Sequence, residues 1–446
     1  MNQSFMKEKP VLPLVLSMSM PMVLSMLVTS LYNIVDSYFV ARISEEAMTA
    51  LSLVYPLQIL ENSIAVGFGI GVNAAAAYYL GAERSETAND TVSAGVFLSA
   101  VHGLVMTLFF VVTASPFLKI FTGDITILEY GKTYSYIVFT FTIPYFIGIT
   151  FEKIFQAEGQ MVVSMVSMII GCVVNIILDP LMIFGVGPFP RMGVVGAALA
   201  TGIGQVISLL VYIIIYFRKP LPLKLRFRRE MLNKNLCKRI YSVGIPASIN
   251  MALPSLLITA LNGILAVFSA AYVLVLGIYF KLQTFIYLTA NGIVQGIRPI
   301  VGYNYGAKEY RRVDMVFKTA LRLALAVMLA GTIICLAASS ALIGIFTDNA
   351  DTIRIGQTAL RIICLGFTVS AVSVTVSGVL EGLGQGKLSL VISLMRYIII
   401  IIPAAFLLSR LFGAVGVWHA FWISELITAL ASWFLYQRKI KRTFKT

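Results

Sequence analysis

An aspartate lies inside a stretch that is apolar enough to cross a membrane as a helix. The stretch, residues 161–184, carries Asp179, with Asn175 one helical turn before it and Pro180 directly after it. An ionisable group at membrane depth is costly and is retained mostly where it faces a cavity and binds something. Proline has no N–H, so it also leaves the carbonyl of Ile176 without its helical partner. Carboxylate, amide and carbonyl oxygens suit a proton or a small hard cation, although a polar spot satisfied by a neighbouring helix would also explain them.

A second acid occupies a comparable place in the first apolar stretch. Asp36 has Tyr32 one turn before it on the same helix face. If both helices run outward, each acid lies about six residues, or roughly 9 Å, from the outer end of its helix. Two carboxylates at equal depth can form a joint site. We therefore predict a cation-coupling site of Asp36, Asp179, Asn175 and Tyr32, in which the first three would be the ligands if the ion is Na⁺.

Further polar residues inside apolar stretches are candidates for a substrate site or a secondary polar site. Glu61 would contact a cationic compound or pair with a buried basic residue. Glu152 and Gln156, one turn apart, would extend a proton path or, with the adjacent Lys153, form a pair at the membrane interface. Lone cations in hydrocarbon must face a cavity or find an acid or carbonyls. In the second half of the chain Lys281, Arg361 and Arg396 lie within predicted spans.

The composition as a whole is that of a polytopic membrane protein. Of 446 residues, 59% are hydrophobic and only 12% are charged, which is more apolar surface than a soluble domain of this length needs. The first apolar run continues past signal-peptide length, so we expect it to be the first spanning helix. Twelve spans are predicted: 11–40, 47–79, 92–115, 133–157, 161–184, 193–217, 240–268, 272–304, 315–345, 354–380, 387–409 and 413–436.

Basic residues between the spans predict the orientation. The loop 218–239 holds nine basic residues and one acid, Glu230. Further basic residues follow the eighth and twelfth spans, namely Lys308, Arg311, Arg312, Arg438, Lys439, Lys441, Arg442 and Lys445. All fall on one side if the N-terminus is cytoplasmic, as the positive-inside rule requires. We expect a multi-pass protein of the plasma membrane with both termini in the cytoplasm. The net charge of +14 then reports topology and not nucleic-acid binding.

The chain is a tandem repeat. Residues recur at a constant offset of 225: Pro21 and Pro246, Gln58 and Gln283, Gly67 and Gly292, and Gly71 and Gly296. Motifs recur as well: YYLGAE (78–83) with YNYGAK (303–308), IFTGD (120–124) with IFTDN (345–349), EGQ (158–160) with LGQ (383–385), and, at an offset of 220, MGVVGAA (192–198) with FGAVGVW (412–418). Six spans followed by six equivalent spans give two lobes of the same orientation, typical of an alternating-access transporter. We predict an N-lobe at 1–217, a basic cytoplasmic linker at 218–239 and a C-lobe at 240–446.

These features resemble the multidrug and toxic compound extrusion (MATE) family. The resemblance rests on the two six-span lobes, the YYLGAE and YNYGAK motifs, the QAEGQ and EGLGQG turns and NIILDP, and it covers nearly the whole chain. It implies an all-α antiporter that needs no cofactor and binds H⁺ or Na⁺ at N-lobe acids, here Asp36 and Asp179. Several members also have an acid in the first helices of the second lobe. Here the repeat partners of the two aspartates are Leu261 and Ala404, so coupling is expected in the N-lobe alone.

Three functions from different classes are open. The leading hypothesis is secondary active efflux of cationic, amphipathic compounds by a monomer in the lipid bilayer. The 28 Phe, 20 Tyr and 18 Met suit such substrates, but the same residues are common in any apolar bundle. A flippase for lipid-linked precursors would need a cationic cavity, which only Lys281, Arg361 and Arg396 suggest. A membrane enzyme is disfavoured because no loop carries a His/Asp or Ser/His constellation.

Overall fold

The computed structural model describes residues 4–219 and 221–440, the side chains of residues 439 and 440 excepted. Within these residues the protein is all-α and has no strand. The α-helices are α1 (Phe5–Glu8), α2 (Val11–Ala41), α3 (Glu45–Gly81), α4 (Ser85–Phe121), α5 (Ile125–Thr140), α6 (Thr142–Ala157), α7 (Met161–Phe184), α8 (Val194–Arg218), α9 (Lys234–Ala266), α10 (Ala270–Gly306), α11 (Tyr310–Gly344), α12 (Ala350–Ile363), α13 (Leu365–Gly382), α14 (Gly386–Leu394), α15 (Ile401–Phe412) and α16 (Ala414–Leu435). The side chain of Lys439 and all of Lys441, Arg442 and Lys445, on which the orientation partly depends, lie outside the described residues.

The described helices account for the predicted spans. Eleven helical segments are long and apolar enough to cross a membrane, and α5 and α6, which meet at 49°, together make a twelfth. A π-helical turn, Met395–Ile399, joins α14 and α15 into one span. The predicted all-α architecture of about twelve spans is confirmed, and the chain is a multi-pass membrane protein.

The recurring motifs form helix ends. YYLGAE and YNYGAK end α3 and α10, and their last residues, Glu83 and Lys308, adopt left-handed backbone with φ of 59° and 62°. EGQ and LGQ turn the chain after α6 and after α13, where Gly159 and Gly384 both have a φ of 78°. A left-handed residue just past a helix redirects the chain, and glycine adopts it without a steric penalty. The internal repeat is therefore a repeat of helix-ending turns as well as of spans.

The boundary between the two compact units passes through α2 and α9. Among the described residues, one unit contains Leu24–Ser248, and the other contains Ser4–Val23 together with residues 249–440. The sequence predicts the division differently, at residues 217 and 240. The first part of α2 therefore belongs with the C-terminal half, and the first part of α9 belongs with the N-terminal half.

Repeated glycines provide the physical reason for this division. A Cβ on Gly67 of α3 would lie 2.5 Å from Cα of Ser248 in α9, closer than any real Cβ contact. At the equivalent place in the other unit, a Cβ on Gly292 of α10 would lie 2.8 Å from Cα of Val23 in α2. Small residues let two helix backbones approach closely in a membrane protein. The glycines thus form grooves that hold the first parts of α9 and α2.

Each unit has its own apolar core. In the first unit Phe110 of α4 and Phe139 of α5 are buried and stack with their ring centroids 4.0 Å apart. In the second unit Trp418 of α16 is completely buried, in a cluster that also contains Tyr279 and Phe367. Aromatic side chains of this size contribute a large share of the burial free energy of a core. These cores hold the helices that carry the polar residues.

Candidate functional site

One apolar core anchors both aspartates of the predicted coupling site. Val40 lies one turn after Asp36 on α2, and Ile183 lies one turn after Asp179 on α7. Val40 is 0% exposed, Ile183 is 1% exposed, and both belong to the same cluster in the first unit. Residues four apart share a helix face. Packing of the two apolar residues therefore brings the two carboxyl groups together.

The carboxyl groups of Asp36 and Asp179 are close enough to interact electrostatically. Asp179 is fully buried. No N–H or O–H donor of the described residues reaches either of its oxygens or Oδ1 of Asp36. Ionised carboxylates are hydrogen-bond acceptors only, and two of them close together repel each other. The arrangement can therefore take up a proton or a small cation between the two groups.

Hydroxyl and amide groups surround the aspartate pair. Tyr32 and Tyr134 both interact electrostatically with the two aspartates. Gln58 Nε2 donates to the Tyr134 hydroxyl at 3.4 Å, and Asn175 Nδ2 donates to Thr201 Oγ1 at 3.3 Å. The side-chain N–H of the predicted ligand Asn175 thus donates to a residue of α8. Its Oδ1 is buried without a hydrogen-bond partner. That oxygen remains available as a ligand for a bound cation.

Two members of this site, Tyr134 and Thr201, are absent from the sequence-based prediction. Tyr134 contacts Gln58 and shares the apolar core that anchors the aspartates. A tyrosine or threonine in a spanning helix is common, so neither residue gives a signal in the sequence. The sequence marks Gln58 only as a residue that recurs in the second repeat.

Glu61 lies one turn after Gln58 on α3. It is 6% exposed, and its Oε1 lies 2.6 Å from Oγ1 of Thr142 on α6. No Lys or Arg side chain of the described residues comes within ion-pair distance of it. The sequence allows two roles for Glu61, namely a contact for a cationic compound or the partner of a buried basic residue. Pairing with a base does not occur within the described part of the chain.

Glu152 and Gln156 form a buried cluster with Lys153. Lys153 Nζ lies 2.7 Å from Glu152 Oε1, and Gln156 Nε2 donates to the same oxygen at 2.6 Å. All three residues are at most 4% exposed. A lysine that extends to the membrane interface would be exposed at its tip. The low exposure of Lys153 therefore does not fit a pair at the membrane interface. Glu152 and Lys153 form an ion pair in the interior of the protein.

The three cations of the second half have different environments. Arg396 is buried and lies 2.6 Å from Glu425. Arg361 is exposed and donates its Nε–H to Ser339 Oγ at 3.1 Å. Lys281 is exposed. Of the cations predicted to need an acid or a cavity, Arg396 has found an acid.

On the turn between α6 and α7, Glu158 holds the segment that follows α8. Its Oε1 accepts the backbone N–H of Leu223 at 2.8 Å. Two further backbone N–H groups of the segment donate to Asn89 and Ser93 of α4, each at 2.7 Å. Glu158 is 3% exposed, and burial raises its pKa to about 7. This carboxyl group therefore changes charge near neutral pH.

Two parts of the chain match one family model. Residues 21–181 and 246–407 each match MatE, and the matches begin at Pro21 and Pro246, the first pair of residues in the tandem repeat. The chain belongs to the MatE family. The resemblance to MATE proteins stated from the sequence is confirmed, and so is the internal repeat.

Alignments with similar proteins cover almost the whole length of this MatE chain. The multidrug export protein MepA of Staphylococcus haemolyticus (strain JCSC1435) is 26% identical over 432 residues, which are 97% of this chain and 94% of that protein. The MepA of Staphylococcus aureus (strain MSSA476) is also 26% identical, over 436 residues, with coverage of 96% and 94%. The similarity is thus spread over both lobes.

Solved structures have the same fold as this MatE chain. An outward-facing multidrug resistance MATE family transporter superposes with a TM-score of 0.93 at 22% identity. A MOP superfamily transporter from Pyrococcus furiosus superposes with a TM-score of 0.92 at 20% identity. In both cases the alignment covers 100% of this chain and 99% of the other. At this level of identity the likeness concerns the fold alone.

Proposed function

We propose that this MatE protein is a secondary active efflux transporter that exports cationic organic compounds in exchange for H⁺ or Na⁺. It would act by alternating access, as a monomer in the plasma membrane, with both termini in the cytoplasm. The names of its relatives, which are multidrug export proteins, support this function. Asp36 and Asp179 would bind the coupling ion, with Asn175 and Tyr32 beside them.

The observation that carries the proposal is that interior acids of the second unit are paired with arginines, whereas the aspartate pair of the first unit is not. In the second unit two interior acids are each held by an arginine: Glu381 by Arg298 at 2.8 Å, and Glu425 by Arg396 at 2.6 Å. The charge of a paired acid is neutralised by its arginine, so the acid has little tendency to bind another cation. The aspartate pair of the first unit has no such partner among the described residues. It is free to bind and release a positive charge.

Ion binding at the pair would change the relation between α2 and α7. With both carboxyl groups ionised, repulsion favours separation of the two helices. A shared H⁺ or Na⁺ removes the repulsion and favours their approach. A ligand shifts a conformational equilibrium when it binds one state better than the other. Ion binding and ion release would thus favour different arrangements of α2 and α7, as an alternating-access exchange requires.

The flippase alternative draws less support from the structure. It needs cations that are available to a phosphate group. Arg396 is neutralised by Glu425, which leaves Lys281 and Arg361.

Transport by the purified protein in proteoliposomes tests the proposed function. A pH gradient and a Na⁺ gradient are imposed separately, and movement of a fluorescent organic cation is followed in each case. We expect transport with one of the gradients and none when both are collapsed. Absence of cation transport with either gradient, in protein shown to be folded and inserted, would contradict the proposal.

A further inference from the structure

The hydroxyl oxygen of Thr142 lies within hydrogen-bonding distance of two other oxygen atoms. Thr142 Oγ1 lies 2.6 Å from Glu61 Oε1 and 2.9 Å from the carbonyl oxygen of Phe139. A hydroxyl group carries one hydrogen. Helical threonines commonly donate it to a carbonyl three or four residues earlier, and Phe139 is three residues before Thr142. The contact with Glu61 then needs a second hydrogen, which a protonated Glu61 supplies.

The apolar surroundings favour the same protonation state. Glu61 is 6% exposed, and an isolated carboxylate in such a site becomes neutral because desolvation of its charge is too costly. Lys153 is a basic residue on the neighbouring helix α6. Its Nζ is engaged by Glu152 at 2.7 Å and by Gln156 at 3.2 Å.

In the described part of the chain, no Lys or Arg on the elements packed against this part of α3 forms an ion pair with Glu61. Tyr145 of α6 lies within electrostatic range of Glu61 and donates its hydroxyl hydrogen to Asn62 at 2.7 Å. Tyr134 of α5 is bound by Gln58, one turn from Glu61. His102 of α4 is 2.8 Å from the hydroxyl of Tyr241.

The internal repeat shows that this contact is no requirement of the scaffold. The residues at the offset of 225 from Glu61 and Thr142 are Ile286 and Phe367. Phe367 is 2% exposed in the core of its unit, and Ile286 packs against that core. The second unit thus fills the same place with apolar side chains. At these repeat positions a carboxyl–hydroxyl pair occurs in the first unit and not in the second.

We propose that Glu61 is a second proton-binding site of the first unit, distinct from the aspartate pair, and that its neutral carboxyl group donates to Thr142. Gln58, one turn before Glu61 on α3, donates to Tyr134, which interacts electrostatically with both aspartates. The role of Glu61 in transport rests on the proposed function, in which it would add a proton to the charge carried by the pair. Protonation of Glu61 itself does not depend on that function.

Infrared difference spectroscopy on the full-length protein in lipid tests the protonation directly. A protonated carboxyl group gives a C=O stretching band that an ionised group lacks. We expect Glu61→Gln to remove one such band, and Thr142→Val to shift its frequency because the hydrogen-bond acceptor is lost. Glu129→Gln, at an acid whose side chain is 62% exposed on α5, is the matched control and should leave the band unchanged.

The proposal is overturned if Glu61→Gln keeps every protonated-carboxyl band, or if Thr142→Val leaves the bands where they are. Should Glu61→Gln fail to fold, Thr142→Val decides the question by itself. The ratio of protons to exported cations in proteoliposomes provides the second readout and should be lower in Glu61→Gln by the one proton that this site would carry. Loss of the band without any gradient-driven transport in the wild type would refute the proposed function and leave the Glu61 site standing. Proton-driven transport by the wild type, with bands that neither variant changes, would refute the Glu61 site and leave the proposed function standing.

Discussion

Glu158 should make docking of the segment after α8 dependent on pH. In the docked state this carboxyl group is 3% exposed and accepts the N–H of Leu223. Burial raises its pKa from an ordinary 4.5 to about 7. Once the segment lifts away, water reaches Glu158 and its pKa returns towards the ordinary value. The docked state therefore binds the proton more tightly than the undocked state.

The sign and the size of the effect follow from linkage. A group that is more protonated in the docked state stabilises it fully below pH 4.5, and this stability is lost as the pH rises through about 7. Above that value no further loss is expected. Complete recovery of the ordinary pKa would correspond to about 3 kcal/mol at most, which is a change on the order of 100-fold in the opening equilibrium.

Hydrogen exchange of the backbone amides at residues 223–226 measures this equilibrium. With rates corrected for the pH dependence of intrinsic exchange, protection should fall between pH 5 and pH 8. Glu158→Gln stays neutral at every pH and is the matched variant, with protection that should not depend on pH. The reasoning is refuted if wild-type protection is constant or rises with pH, or if Glu158→Gln has the same slope.

Two further predictions concern the second unit. Leu261→Asp, at the repeat partner of Asp36, places a charge at a position that is 0% exposed; it should lower stability by several kcal/mol and add no transported ion, and an increased ion stoichiometry would contradict this. Gly416→Ala should cost about 1–3 kcal/mol, because its Cβ would meet the backbone of α15, whereas Gly263→Ala meets nothing within 4 Å. Thermal unfolding in detergent compares the two alanine variants, and equal midpoints would show that the close helix contact is not needed.

The spans and the repeat could be predicted because both are local properties of the sequence. A run of apolar residues is visible without any knowledge of its neighbours. The roles of the repeated glycines could not be predicted in the same way. Gly67 stands out in the sequence as the partner of Gly292, but the residue that lies against it is Ser248 on α9. Only the tertiary structure shows that each glycine groove holds a helix from the other half of the chain.

The site was predictable to the extent that it depends on charge. Asp36 and Asp179 stand out because ionised groups are rare in spanning helices. Their proximity to each other depends on the packing of neighbouring residues in a shared core, to which Tyr134 also belongs. Likewise, Arg396 was recognisable as a cation that needs a partner, but its pairing with Glu425 joins helices that are separate in the sequence.

Gradient-driven export by an Asp179→Asn variant in proteoliposomes tests the central claim most directly. Asparagine keeps the shape of the side chain and removes its titratable charge, so the pair with Asp36 can no longer gain and lose a positive charge. The account predicts a folded, inserted protein whose gradient-driven transport of organic cations falls to the level of protein-free liposomes. Transport at the wild-type rate by this variant, at equal protein abundance and under the same gradient, would contradict the account.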